Sequence, residues 1–319
     1  MKEFLIRSVF EKSITLFFVS VISFLIIHLA PGKPTQINPL NPKFTPELIE
    51  RFKKEFHLDK PLYQQYLIFY KELFTGKLVS WQDHRSVLLK IWDRFLNSLP
   101  LFILSTIITW TLSFPLGIHS AIKRGSFFDQ TTTIISYILI SIPGFFFAYV
   151  LIIFIVNLFH VPVLGVKTFG FDSSSKIFSF MDRLWHLFLP SILSASGGVA
   201  VLSRYVRDEM IEVESNEFIV AARAKGVSED GIHYKHALRN ALLPFATIFG
   251  LILPGLLGGS VIIETIFSWP GIGRLAFEAI LARDYPVILT LNFISAILVL
   301  VGTFLSDLLY ALIDPRIKF

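Results

Sequence analysis

Six stretches of this chain, 13–30, 95–122, 130–159, 185–203, 241–263 and 287–313, carry a single Asp, Glu, Lys or Arg between them, Asp307. A bilayer core about 30 Å thick needs roughly 20 apolar residues to cross as a helix. Backbone polar groups have no water partner there, so the fold must satisfy them internally. These runs therefore predict an all-α polytopic membrane protein with six transmembrane helices. Composition agrees: 53% of residues are hydrophobic and 17% charged, against about 25% charged in soluble domains. Internal Pro100, Pro115, Pro143-Gly144 and Gly197-Gly198 are tolerated where neighbouring helices re-satisfy the backbone. The chain has no cysteine, which excludes disulfides, thiolate chemistry and Cys-based metal sites. The net charge of +5 gives no sign of nucleic-acid binding; its placement is more informative.

Lys2, Arg7 and Lys12 precede the first run. That run exceeds a signal-peptide core of about 7–15 residues and lacks a small-x-small cleavage site, so it reads as a retained membrane helix. With the N-terminus inside, the cytoplasmic segments hold thirteen basic residues and the short external loops five, namely Lys167, Lys176, Arg183, Arg274 and Arg283. This positive-inside bias places both termini and the 204–240 loop in the cytoplasm. The segment 31–94 is long enough to translocate regardless of its charge. Within it, Thr45-Pro46-Glu47 reads as a helix start, with Leu48, Ile49, Phe52 and Phe56 at helical spacing. A second helix follows Asp59-Lys60-Pro61, with Leu62, Tyr66, Phe69 and Leu73 on one face and Gly76 as its stop. Two readings of these external helices stand: a structural lid, or a contact for an external partner.

The 204–240 loop carries the mechanism. Residues 217–225 read as an Ala-rich helix bearing Phe218, Ala221, Ala222, Arg223 and Lys225. Gly226 fits a left-handed C′ position. Ser228 caps a second helix with Glu229 and Asp230 in its first turn and His236 and Arg239 near its end. Two short helices thus meet at a glycine corner, where small residues let a partner's backbone approach, and Leu243-Pro244 opens the fifth span. No Gly-x-x-x-x-Gly-Lys-Ser/Thr loop exists, since Gly32-Lys33 and Gly76-Lys77 lead to Pro and Leu. No His-Glu-x-x-His is present either. Energy must come from a partner.

Ala221 to Gly226 followed by Leu243-Pro244 resembles the EAA loop of ABC importer permeases, with Val220 where that family's triplet begins with Glu. More of the chain resembles the oligopeptide/dipeptide importer permeases within that family. The matching segments are Leu58 to Leu62 with Gln65-Tyr66, Lys123 to Ser126 with Asp129, Ser141 to Pro143, and Arg204, Arg207 and Met210. Further on, Leu257 to Val261, Glu264, Phe267, Pro270 to Gly273, Arg283 to Pro286, Asp307, Tyr310 and Asp314-Pro315-Arg316 also fit. Pro31-Gly32-Lys33-Pro34 carries Lys where Asp is usual. The resemblance implies a type I ABC permease fold in a bacterial inner membrane. It implies as partners a second homologous permease, two cytosolic ABC ATPases that use ATP and Mg, and an extracytoplasmic binding protein. It makes the chain a transport subunit rather than an enzyme, with no cofactor of its own and peptides as cargo. Nickel complexes or another small solute form the alternative cargo. A secondary transporter would be expected to show paired intramembrane charges and an internal repeat; a membrane enzyme, a polar catalytic cluster. None of these is apparent.

The expected parts are then 1–30, a tail and first helix; 31–94, an external helical segment; 95–313, the five-helix permease domain with its coupling loop at about 207–240; and 314–319, a cytoplasmic tail. Gly255, Gly258, Gly259, Ser260 and Glu264 are candidates for helix packing or the substrate path. Trp269, Pro270, Gly271 and Gly273 form a turn that either gates the pore or touches the binding protein, or is a plain turn. Asp307 reads as an interfacial or bundle-bonded carboxylate. His28, His119 and His186 read as interfacial packing rather than metal ligands. The acidic run Asp208, Glu209, Glu212, Glu214 and Glu217 is a solvated face or pairs with Arg204, Arg207 or a partner.

Overall fold

The computed structural model describes residues 2–29, 45–170, 175–250, 252–258 and 261–313. Pro31 to Pro34, Gly259, Ser260 and Asp314 to Arg316 fall outside them. Among the described residues there is no strand, only an isolated bridge between Val79 and Ser86. In order, the helices are α1 (Lys2–Leu29), α2 (Pro46–Glu55), α3 (Leu62–Thr75), α4 (Val87–Ile122), α5 (Phe127–Ser141), α6 (Gly144–Phe159), α7 (Lys176–Glu214) and α8 (Glu217–Ala224). A π-helical segment, Gly231–Ala237, leads into α9 (Leu238–Ala241). Then come α10 (Leu243–Gly250), α11 (Ile252–Gly258), α12 (Val261–Ile266), α13 (Ile272–Ala282) and α14 (Tyr285–Ile313).

Five segments are long and apolar enough to cross a membrane: α1, α4, α7, the stretch from α10 to α12, and α14. The sixth departs from the single run expected over 130–159. It is two helices, α5 and α6, bent by 100°. Pro143 explains the break. It has no N–H to donate and pushes the preceding residue out of helical geometry, and Ile142 is extended (φ −81°, ψ 123°).

Two helices are longer than their apolar runs. α4 begins at Val87 rather than near residue 95, because Val87, Lys90 and Ile91 bury one face of an extra two turns. α7 starts at Lys176 and continues to Glu214. Beyond residue 203 its charged positions alternate with Val206, Met210 and Val213, which are buried at helical spacing. A search for uninterrupted apolar residues misses such amphipathic extensions.

The most extensive pairing is between α4 and α7, and α14 packs along α10, α11 and α1. Glycines permit the closest crossings. A Cβ on Gly117 of α4 would lie 2.6 Å from Val206 Cβ, and one on Gly250 or Gly302 would overlap the backbone of the other. At one end, Phe24, Leu73, Val87, Ile91, Ile272, Leu275 and Val287 share a core. A second core, around Val206, Met210, Ile219, Ile232 and Phe245, lies where α7 meets α8.

Candidate functional site

The loop between α7 and α10 is an ordered hairpin. After α7, Ser215 and Asn216 turn the chain and α8 begins at Glu217. Its end is fixed by two backbone hydrogen bonds: Gly226 N donates to Arg223 O (2.9 Å) and Val227 N to Ala222 O (3.2 Å). This 5→2 and 6→1 pair is a Schellman cap, and Gly226 supplies its left-handed residue (φ +81°). Ser228 Oγ then accepts from Gly231 N (3.3 Å). The second arm differs from the α-helix expected. From Gly231 to Ala237 it has π-helical hydrogen bonding, and only the last turn, α9, is α-helical. The wider turn still buries Ile232 and Ala237 against α7.

Neighbouring residues of α8 point in opposite directions. Ile219 is fully buried with Met210 and Val213 of α7. Phe218 and Val220 are 45% and 59% exposed, and Ala221, Arg223, Lys225 and Gly226 are exposed beside a half-buried Ala222. The hairpin is thus rooted in the membrane helices and presents an outward face of aromatic, aliphatic and small residues. Arg223 grips Glu229 across the corner with Nε and Nη2 (2.9 and 3.0 Å), and this contact holds the Glu229 carboxyl below its ordinary range. The acidic run is partly used within the chain: Glu214 Oε1 lies 2.6 Å from His233 Nδ1, and Asp208 pairs with Arg207 (3.0 Å). Arg207 also donates to Asp129 through Nε (2.6 Å) and Nη2 (3.0 Å), and Asp129 accepts from Gly125 N (2.9 Å). The α4–α5 turn is thereby fastened to the lower part of α7. Arg204 lies over the Tyr137 ring (3.9 Å to the centroid).

Within the helices, a cavity of about 280 Å³ is lined by Ser98, Leu101, Phe102, Ser105, Thr106, Thr109 and Trp110 of α4, Ser194 of α7, and Ile252, Gly255, Leu256 and Glu264. Gly255 and Glu264, both candidates from the sequence, meet here. Gly255 faces the Phe102 ring, 3.1 Å from a Cβ that would replace its hydrogen. The hydroxyl lining escaped the sequence reading, although Ser98, Ser105 and Thr109 recur at i, i+7 and i+11 on one face of an otherwise apolar helix.

Glu264 is fully buried at the edge of this cavity. Its carboxylate accepts from Ser98 Oγ (2.8 Å) and Arg274 N (2.9 Å), and Ser98 Oγ in turn accepts from Ile272 N (2.7 Å). Gly271 has no room for a Cβ, which would overlap the Glu264 carboxyl and Ser98 Oγ; a Cβ on Gly273 would meet Val261 N at 2.9 Å. Trp269 is 3% exposed and donates from Nε1 to Asn97 O (2.8 Å), while Pro270 O accepts from Asn97 Nδ2 (3.2 Å). The Trp269 to Gly273 segment is therefore a packed turn clamped onto α4 around the Glu264 carboxylate. Asp307 is 3.3 Å from Lys12 of α1, a bond within the bundle. Among the described residues no group of His, Asp or Glu could hold a metal ion.

Known proteins resemble the chain throughout. A family model described as "Binding-protein-dependent transport system inner membrane component" matches residues 113–319, and a model of the N-terminal part of such components matches residues 1–101. The oligopeptide transport system permease protein AppB of Bacillus subtilis is 38% identical over 100% of both chains. The dipeptide transport system permease protein DppB of Escherichia coli K12 is 33% identical over 100% of this chain and 99% of its own. A glutathione transport system permease protein, GsiC of Shigella flexneri, is 35% identical over 96% and 95%. Among solved structures, a chain of the MetNI methionine ABC transporter in an inward-facing form superposes with a TM-score of 0.53. It is 18% identical, over 71% of this chain and 97% of that one, and carries the type I ABC permease fold.

Proposed function

The chain belongs to the family of binding-protein-dependent transport system inner membrane components, and from that premise we propose that it forms half of the translocation pathway of an ATP-driven peptide importer. The other half is a second, homologous permease. Two cytosolic ATPases supply the energy with ATP and Mg, and an extracytoplasmic binding protein delivers the peptide. Both termini and the α8 hairpin face the cytoplasm. The names of the full-length relatives support peptide cargo.

The observation that carries this reading is the split character of α8. One side is locked into α7 and the π-helical arm by Ile219, and the other presents Phe218, Val220, Ala221 and Lys225. A partner that seats this face and moves it must move α7 as well, since a packed core transmits displacement instead of absorbing it. Closure of the ATPase pair would draw the two permeases' hairpins together. α7 and α4 would carry that motion to the hydroxyl-lined cavity. Neutral hydroxyls offer a peptide backbone both donors and acceptors without selecting a side chain. A wall of this kind suits a pathway whose selectivity lies in the binding protein.

The test uses the complete transporter in vesicles. Gly226 meets no neighbour that a Cβ would touch, so only its positive φ constrains it. Gly226→Asn, which tolerates left-handed geometry, should keep most peptide uptake. Gly226→Val should lose it nearly completely while the protein stays inserted. Equal uptake by the two variants would sink the proposed role of the hairpin. ATP-independent uptake by this chain alone would sink the importer reading itself.

A further inference from the structure

Helix α3 belongs to the segment that the sequence places outside the membrane, yet its contacts set it at a different depth. Two polar clusters bracket α14. Near one end Asp307 pairs with Lys12. At the other, Asp284 accepts from Trp81 N (3.0 Å) and from Ser80 Oγ, with Lys90 Nζ 3.9 Å away. These carboxylates are 23 residues apart, about 35 Å along a helix at 1.5 Å per residue. The spacing matches a hydrocarbon core of about 30 Å with a charged group at each surface.

The partners of α3 lie between those marks. Tyr66 Oη is 2.8 Å from Ser20 Oγ, and Ser20 is eight residues, about 12 Å along α1, from His28, whose ring meets Tyr285 beside Asp284 (5.7 Å). Phe24, midway between Ser20 and His28, packs edge-on against Tyr66 (5.4 Å) and near Phe69 (6.3 Å). Tyr70 and Phe74 meet the Phe293 ring at 5.1 and 6.0 Å. Phe293 is fourteen residues from Asp307, about 21 Å along α14. All three partners are inside the hydrocarbon zone.

The face of α3 left unpaired has matching chemistry. Phe69 and Leu73 are buried, whereas Tyr63, Leu67 and Phe74 are 64%, 62% and 73% exposed. With Tyr70 they form one stripe at i, i+4, i+7 and i+11. Gln65 and Glu72 occupy the opposite side, and Glu72 lies 3.8 Å from His57. Lys71 borders the stripe, where a long stem lets its ammonium reach the headgroups. This is the pattern of a helix lying in a leaflet, with half of its apolar arc already on α1 and α14.

We propose that α3 is immersed in the outer leaflet and that its Tyr63, Leu67 and Phe74 stripe is covered by lipid acyl chains. The insertion after the first span is then a membrane-embedded buttress of α1 and α14. Among the described residues of the insertion, α2 with the turn after it and the 76–86 turn remain for contacts in water.

The absence of cysteine makes the test direct. Single-cysteine variants Leu67→Cys, Phe74→Cys and Gln82→Cys would carry nitroxide labels in the full chain. The chain would be reconstituted in phosphatidylethanolamine/phosphatidylglycerol vesicles, alone and with its partner subunits. Collision with oxygen, enriched in acyl chains, is compared with collision with a water-soluble nickel chelate. At positions 67 and 74 the oxygen-to-nickel ratio should exceed that at Gln82 by several-fold, in both preparations. A ratio like that of Gln82 would overturn the proposal and return α3 to water. Low collision with both reagents in the assembled transporter would also overturn it and assign the stripe to a protein partner. Should a label perturb folding, the reactivity of the unlabelled cysteines toward a charged, membrane-impermeant maleimide provides the second measurement: slow at 67 and 74 and fast at 82 supports the proposal, and equal rates overturn it.

Discussion

Single residues here act mainly through backbone conformation and close approach. Thr45 accepts from Leu48 N (3.3 Å) at the start of α2, Gly76 closes α3 with φ +72°, and Gly226 ends α8. All three were legible, because capping depends on chemistry a few residues away. The closest helix crossing was not. Gly255 drew attention in the sequence, yet among the described glycines Gly250 and Gly302, 52 positions apart in sequence, are the pair whose backbones touch. Neither is marked by its neighbours, since the need for a bare Cα comes from the other helix. Overpacking a tight contact costs about 1–3 kcal/mol. Gly302→Ala, whose methyl would overlap Gly250 O, should therefore lower the melting temperature in detergent measurably. Gly197→Ala, where a methyl meets nothing within 4 Å, should leave it unchanged.

Elements follow the sequence where apolarity is continuous and depart from it where amphipathic packing or proline decides. The extension of α7 past residue 203 is a consequence of Val206, Met210 and Val213 finding a core formed by residues 219–245, which no local window includes. The α5–α6 bend has a local cause in Pro143, but its angle depends on what the two halves pack against: α7 and α4 for α5, α12 and α7 for α6. The other end of α5 is held by the Asp129–Arg207 pair, whose side chains are 5% and 24% exposed. Hydrogen bonds between charged groups contribute about 1.5–3 kcal/mol, so the pair is strong enough to set the position of a short helix. Asp129→Asn should free the first turn of α5. The expected readout is faster hydrogen exchange at 125–132 with α8 protection unchanged, together with reduced uptake. Unaltered exchange there would show that packing alone holds α5.

At the scale of the whole molecule, the membrane class, the all-α architecture and the family were legible from apolar runs and motif spacing, whereas the third expected span is a bent pair of helices. The arrangement that surrounds the cavity was not, because its wall combines hydroxyls of α4 with Ser194, Gly255 and Glu264, far apart in sequence. The two ion clusters that bracket α14 differ in weight. Asp307 is 44% exposed and Asp284 fully buried. An exposed pair contributes at most about 1 kcal/mol, whereas losing a buried, hydrogen-bonded partner costs about 1–3 kcal/mol or more. Asp284→Asn should therefore loosen the 76–86 turn and expose it to protease cleavage. Asp307→Asn should leave the digestion pattern unchanged.

The core that joins Phe24, Leu73 and Val87 to Ile272, Leu275 and Val287 also sets an order of events during synthesis. The first third of the chain leaves the ribosome and enters the bilayer long before its packing partners exist. Ser80 awaits Asp284, 204 residues downstream, and Lys12 awaits Asp307, 295 residues downstream. Until α13 and α14 are made, α1 and α3 have only each other, the start of α4, lipid and the insertion machinery for company. A nascent chain that stops short of α13 therefore leaves an unsealed aromatic surface on its early helices.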